Sequence, residues 1–225
     1  MKTTDQPALA LARDDALVVV DMQNDFVTGT LAVPGGAEVI APLNRAIALF
    51  DAHELPVFAT RDWHPPNHCS FSAQGGPWPV HCVVGTAGAD YVPGLRLAQN
   101  AIPVFKATHP EADAYSAFAG TSLAAELRKR NVRRLVVGGL ATDYCVINTV
   151  RDALAEGFNV VVLADAVRAV NVHDDDGARA EAEMRRLGAR FATVDEISET
   201  EGRVTSWHKD KLLSQKPSFP KSRSP

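Results

Sequence analysis

Six apolar runs rich in β-branched residues recur along the chain, with helical segments between them, and this alternation restricts the fold more than any other feature. "ALVVVD" (Ala16–Asp21) is a continuous run of the kind that marks a strand buried on both faces. "LPVFATRD" (Leu55–Asp62), "AIPVFKA" (Ala101–Ala107), "RRLVVGGL", "FNVVVLADA" and "ARFATV" read as five more strands. Between them, "AEVIAPLNRAIALFDAH", "SLAAELRKRN", Asp143–Glu156 and "DDDGARAEAEMRRLG" carry apolar residues at helical spacing. Strands alternating with helices predict βαβ units and an α/β fold: a mostly parallel sheet with helices on both faces.

One segment breaks the rhythm. From His64 to Pro93 the chain is rich in Pro, Gly, His and Trp and shows no period, and a long irregular loop inside a compact domain is usually functional. After about Arg203 the composition turns basic and rich in Ser and Pro, so the reading is one domain over residues 1–203 and a flexible tail over 204–225. At 225 residues one domain can bury a full core. A net charge of −4 gives no basic footprint for nucleic acid, and no stretch reaches membrane-spanning length. Three cysteines and no secretory leader point to a reduced, cytoplasmic protein. A homo-oligomer is compatible with the sequence, which offers nothing for or against one.

In open α/β sheets, ligands bind beyond the carboxyl ends of the strands. Four consecutive strand ends carry reactive types here: Asp21; Asp62 with His64; Lys106; and, through "ATDY", Cys145. Each alone is weak, since strand ends are commonly polar; their coincidence is the signal. With Thr142 or Asp143 as N-cap, Cys145 falls in the first turn of a helix, where free N–H groups and the dipole favour a thiolate. An isolated cytosolic cysteine is more often a small buried hydrophobe. Asp21, poorly solvated at the end of a buried strand, can serve as a base of raised pKa. Lys106 would balance its charge and that of a thiolate.

A second cluster is "RDWHPPNHCSF", followed by "WPVHC". Asp62 and His64 lie two apart, so in extended chain both point to one face, as two metal ligands would. Spacing alone leaves the third ligand open between His68 and His81, with the Cys69 and Cys82 thiols also of suitable chemistry. A set of hydrogen-bonding loop residues is the plainer alternative, weakened because three of the chain's seven histidines fall within this short stretch. Phe26, Trp63, Trp78 and Tyr115 lie in or beside the same loops and suggest a flat ligand.

Together, "VVVDMQNDF", "TRDWHPPNHCSF", "GGPWPVHCVVGTAGADY", "VFKATHPEADAYSAFAGT" and "VVGGLATDYCVINTVRDAL" resemble the nicotinamidase branch of the isochorismatase-like cysteine hydrolases. The resemblance runs from about Val18 to Asn171, and "DWH…H…WPVHC" is its specific part. It implies a three-layer, doubly wound fold and a triad of Cys145, Asp21 and Lys106. It implies one divalent metal, zinc before iron or manganese, on Asp62, His64 and His81. It also implies a cis bond at Leu140–Ala141, an oxyanion hole from the N–H groups of Ala141 and Cys145, and a ring clamp on Phe26 and Trp78, with Tyr115 as a further substrate contact. His68 is then placed behind the ligands or against the substrate, and Cys69 stands where a small or aliphatic residue is expected. The implied activity is hydrolysis of nicotinamide, and of pyrazinamide, within NAD salvage. The rival readings are another amide hydrolase of the superfamily, acting on ureidoacrylate or N-carbamoyl substrates, and a non-catalytic binding protein on the same fold.

Overall fold

The computed structural model describes residues 9–198; the expected tail over 204–225 lies outside the described residues. The chain runs β1 (Leu9–Ala10), β2 (Asp15–Val20), α1 (Asn24–Val27), α2 (Ile40–Ala52), β3 (Val57–Asp62), β4 (Ile102–Lys106), α3 (Leu123–Lys129), β5 (Arg134–Leu140), α4 (Ile147–Ala155), β6 (Asn159–Arg168), α5 (Asp176–Leu187), β7 (Arg190–Ala192) and β8 (Ile197–Ser198). Six strands form one sheet in the order β4-β3-β2-β5-β6-β7, and every pairing in it is parallel. The short β1 and β8, which the sequence pattern did not announce, pair with each other.

Alternation along the strands builds the three layers. Leu17, Val19, Val57, Ala59, Val136, Val161 and Leu163 share one core with Leu43, Ala46, Ile47 and Phe50 of α2. Ala16, Val18, Val20, Phe58, Leu135, Val137 and Val162 share the other with residues of α3, α4 and α5. Each strand is thus apolar on both sides because a helix layer covers both sides. Pro103 sits in β4, where an edge strand tolerates its missing N–H.

The order reverses direction between β2 and β5, the switch point at which a doubly wound sheet opens a crevice. Val20 of β2 and Gly139 of β5 are partners there. A Cβ on Gly139 would stand 2.1 Å from the Val20 carbonyl oxygen, and its φ of +124° is one that side-chain-bearing residues rarely adopt. Only glycine lets the two strands meet so closely just before the Cys145 turn.

Candidate active site

The four strand ends converge. Asp21 follows β2 in the left-handed conformation (φ 47°), which aspartate tolerates better than most residues. Its side chain is fully buried. Thr60, on the neighbouring β3, accepts the Asp21 N–H at 3.0 Å and donates its hydroxyl to Asp21 Oδ1 at 2.5 Å. That fixes the carboxylate and leaves Oδ2 as the oxygen without a hydrogen bond. Lys106 Nζ stands 3.0 Å from Oδ2 as an ion partner.

Lys106, at the end of β4, is 1 % exposed, so it is no surface lysine. It also pairs closely with Asp62, donates to the Ala114 carbonyl at 3.0 Å, and lies 3.5 Å from Cys145 Sγ. Burial acts to lower its pKa, but the Asp21 and Asp62 carboxylates outweigh burial and raise it well above the usual lysine value. The ammonium is therefore permanent, and it ties both acids to the thiol.

Cys145 arrives by a different local structure from the one expected. Residues Thr142–Val146 form a π-helical turn that leads into α4, and no side chain caps it. The Ala141 carbonyl accepts both the Tyr144 and the Val146 N–H, one on each side of Cys145. Asp143 is not a cap: its carboxylate accepts the Val170 and Asn171 N–H groups at 2.9 Å and ties down the chain after β6. The Leu140–Ala141 bond is cis. The expected thiolate-stabilising helix start is also corrected. Burial pushes the Cys145 thiol well above its ordinary value, Lys106 pulls against this, and Asp21 and Asp62 add to it. At rest the group is a thiol and needs a base. Burial likewise raises Asp21, with Lys106 opposing. Ligand-type atoms of Asp21, Asp62 and Cys145 lie within 4.8 Å of one another.

The second cluster adjoins the first. Of the candidates for a third ligand, His68, His81, Cys69 and Cys82, it is His81 that joins Asp62 and His64, with ligand atoms within 4.8 Å. His64 Nδ1 bonds the His81 carbonyl at 3.0 Å and His81 Nδ1 the Pro79 carbonyl at 2.8 Å, so each Nδ1 carries the proton and each Nε2 offers a lone pair. His64 Nε2 is buried with no hydrogen-bond partner, and burial pulls the ring's pKa down to about 3. A buried, neutral, orphaned imidazole nitrogen facing a carboxylate and a second imidazole is what a divalent cation requires, and the carbonyls behind the rings fix their tautomers. His68 is engaged elsewhere. Its Nδ1 takes the Ser70 hydroxyl at 2.7 Å and the Ser70 N–H at 3.3 Å, while Nε2 faces the Ala112 carbonyl at 3.3 Å. Its ring stands 4.2 Å from that of His64.

Two side chains that sequence reasoning missed hold these ligands. Buried Gln23 clamps Asp62 from both sides of its peptide: Oε1 accepts the Asp62 N–H at 2.8 Å, and Nε2 donates to the Asp62 carbonyl at 2.8 Å and the Ala89 carbonyl at 2.9 Å. Asp25 Oδ2 accepts the Cys82 N–H at 2.7 Å, next to His81. The irregular stretch is thereby ordered, with bridges His64↔Val83, Phe71↔Trp78 and Gln23↔Tyr91.

Both clusters open on one cavity of about 240 Å³, lined by Phe26, Trp78, Tyr115, Ala141, Tyr144 and Cys145 among others, with Asp62 and His81 in its wall. Trp78 donates to the Tyr115 hydroxyl at 2.9 Å and packs edge-on against Tyr144, centroids 5.3 Å apart. Tyr144 is a further ring the sequence reading did not single out. Trp63 is not in the wall: it packs on Phe105 at 5.0 Å under the Arg61 guanidinium. The arrangement brings a thiol, a carboxylate and an ammonium against a slot sized for one small flat molecule, with a cation site on its flank.

Comparison with known proteins agrees with this geometry. The nicotinamidase of Escherichia coli K12 is 40 % identical over 209 residues, covering 83 % of this chain and 98 % of that protein. A crystal structure of the pyrazinamidase of Pyrococcus horikoshii in complex with zinc superposes with TM-score 0.77 at 45 % identity, covering 80 % of this chain and 99 % of that one. The L. infantum protein PnC1 in complex with nicotinate gives TM-score 0.80 at 35 % identity, covering 87 % and 100 %. The Isochorismatase domain profile spans residues 15–197, from the first residue of β2 to the first of β8, and with these relatives it makes the chain a member of the isochorismatase family.

Proposed function

We propose that the protein is a nicotinamidase that hydrolyses nicotinamide to nicotinate and ammonia, and accepts pyrazinamide, through a thioester on Cys145. The observation that carries this reading is the single Lys106 ammonium reaching Asp21, Asp62 and Cys145, which joins a nucleophilic cluster and a metal-type cluster into one site. Relatives named nicotinamidase and pyrazinamidase, and a neighbour holding nicotinate, supply the substrate.

Asp21 Oδ2 takes the Cys145 proton as sulfur attacks the carboxamide carbon. The Ala141 and Cys145 N–H groups receive the developing oxyanion, an effect of about 3 kcal/mol per donor in analogous sites. The C–N bond breaks as Asp21 returns the proton to nitrogen, and ammonia leaves. Asp21 then deprotonates a water that attacks the thioester; the C–S bond breaks and the proton goes back to sulfur. Lys106 keeps Asp21 ionised at the start of each half-reaction. Thr60 keeps Oδ1 occupied, so that Oδ2 does the work. Phe26, Trp78, Tyr115 and Tyr144 hold the ring flat.

Asp62, His64 and His81 fit a divalent ion, for which we propose zinc, as in the Pyrococcus horikoshii complex. When bound, the ion supplies a Lewis acid able to hold a pyridine nitrogen and so set which way the ring lies. Mass spectrometry of enzyme quenched during turnover of nicotinamide tests the covalent step: a nicotinoyl adduct on the peptide bearing Cys145 is expected. Turnover with no adduct on wild type, together with activity retained by Cys145→Ala, overturns it.

A further inference from the structure

The proposed reaction converts a neutral ligand into an anion inside the pocket, because the amide leaves as a carboxylate ionised at neutral pH. The charges in the pocket wall then bear on which form of the ligand is retained. The pocket lining includes two carboxylates, Asp62 and Asp113, and no Lys or Arg. Asp62 is engaged: it pairs with Lys106, which it shares with Asp21, and it belongs to the proposed zinc site. Asp113 is not: among the described residues it makes no ion pair, and its one hydrogen bond is Oδ1 accepting the Ala114 N–H at 2.9 Å. It is exposed at the pocket mouth, yet one carboxylate oxygen lies within 4.8 Å of a ring nitrogen of each of His64 and His68. An unpaired carboxylate thus lines the pocket beside the histidine cluster.

We propose that Asp113 is a specificity-determining residue that disfavours anionic ring ligands against neutral ones, so that the carboxylate product is expelled in preference to the amide substrate. The inference rests on the nicotinamidase reading and adds a discrimination between substrate and product to it. Its physical basis is Coulombic repulsion between Asp113 and the carboxylate formed at Cys145, across a partly exposed pocket where such terms amount to a few-fold in affinity.

Asp113→Asn removes the charge and keeps the Oδ1 acceptor for Ala114. The test is the inhibition constant of nicotinate against the KM of nicotinamide, at low and high salt, on enzyme whose zinc content has been measured. The ratio Ki(nicotinate)/KM(nicotinamide) is expected to fall roughly 3- to 10-fold in Asp113→Asn. It should stay near wild type in Asp113→Glu, and the wild-type ratio should fall with added salt. An unchanged ratio in Asp113→Asn overturns the inference and leaves the nicotinamidase reading standing. So does parallel weakening of both ligands with loss of zinc, which would make Asp113 a metal-site residue. A zinc-loaded wild type that does not turn over nicotinamide overturns both.

Discussion

Lys106 shows how one residue can support both the stability and the chemistry of a site. Its ammonium lies between two buried carboxylates, so removing it strands two charges away from water. Lys106→Met should cost about 3–5 kcal/mol of stability, read as a lower urea midpoint with an unchanged slope; a midpoint within error of wild type would contradict the ion-pair account. Thr60→Val should cost about 1–3 kcal/mol, because it orphans both the buried Asp21 N–H and Oδ1; the same titration measures it. The sequence exposed Lys106, since a lysine directly after "IPVF" is oddly placed for a solvated one. It exposed Asp21, Asp62, His64 and Cys145 for similar reasons, as polar or reactive types at or just beyond the ends of apolar runs, whereas spacing left His81 open against His68 and only the family resemblance chose it. It hid Thr60 and Gln23. A threonine inside a strand is unremarkable by pattern, and the partners of both are 39 residues away on a neighbouring element. The thiol's pKa was misjudged because local reasoning saw a helix start and not the burial and carboxylates that surround it.

Among the elements, the β5–α4 junction and the loop from His64 to Pro93 carry the function, and they were legible to different degrees. The strand and helix flanking Cys145 follow from periodicity, but a π-helical turn has no sequence period of its own, so the cap assigned to Thr142 or Asp143 was wrong. Gly139→Ala should cost about 2–4 kcal/mol, since a Cβ at positive φ collides with the Val20 carbonyl exactly where β2 and β5 meet; thermal unfolding checks it. The loop was recognisable as functional by its composition, while its order depends on contacts from α1 and its approach, chiefly Gln23 and Asp25. Asp25→Ala releases the Cys82 N–H beside His81. It should therefore weaken zinc binding about 10- to 100-fold in chelator competition, as loss of a ligand-orienting bond does, with the sheet intact by circular dichroism. Zinc affinity equal to wild type would show that the loop holds His81 unaided.

At the level of the whole molecule, the strand order explains why residues from four separate strands meet. Asp21 follows β2 and Cys145 follows β5, the two strands on either side of the switch point, while Asp62 and Lys106 end β3 and β4 on one side of it. The α/β class and the strands were readable from apolar alternation; the pairing of β1 with β8 was not, because two-residue strands leave no pattern. Among the described residues no helix is long and apolar enough to cross a membrane. The reactive residues lie within residues 21–145 and the pocket lining reaches Val170, so a chain ending at Arg203 is expected to keep wild-type kcat/KM for nicotinamide, and a drop of tenfold or more would give the remaining residues a part in catalysis. The central claim is that thiol and metal serve one amide hydrolysis, and the most direct measurement is ammonia release from nicotinamide by zinc-loaded wild type, chelated wild type and zinc-loaded Cys145→Ala. The account predicts turnover in the first, a severe loss in the second restored by zinc, and none in the third despite retained zinc. Turnover by Cys145→Ala, or none by zinc-loaded wild type, would contradict it.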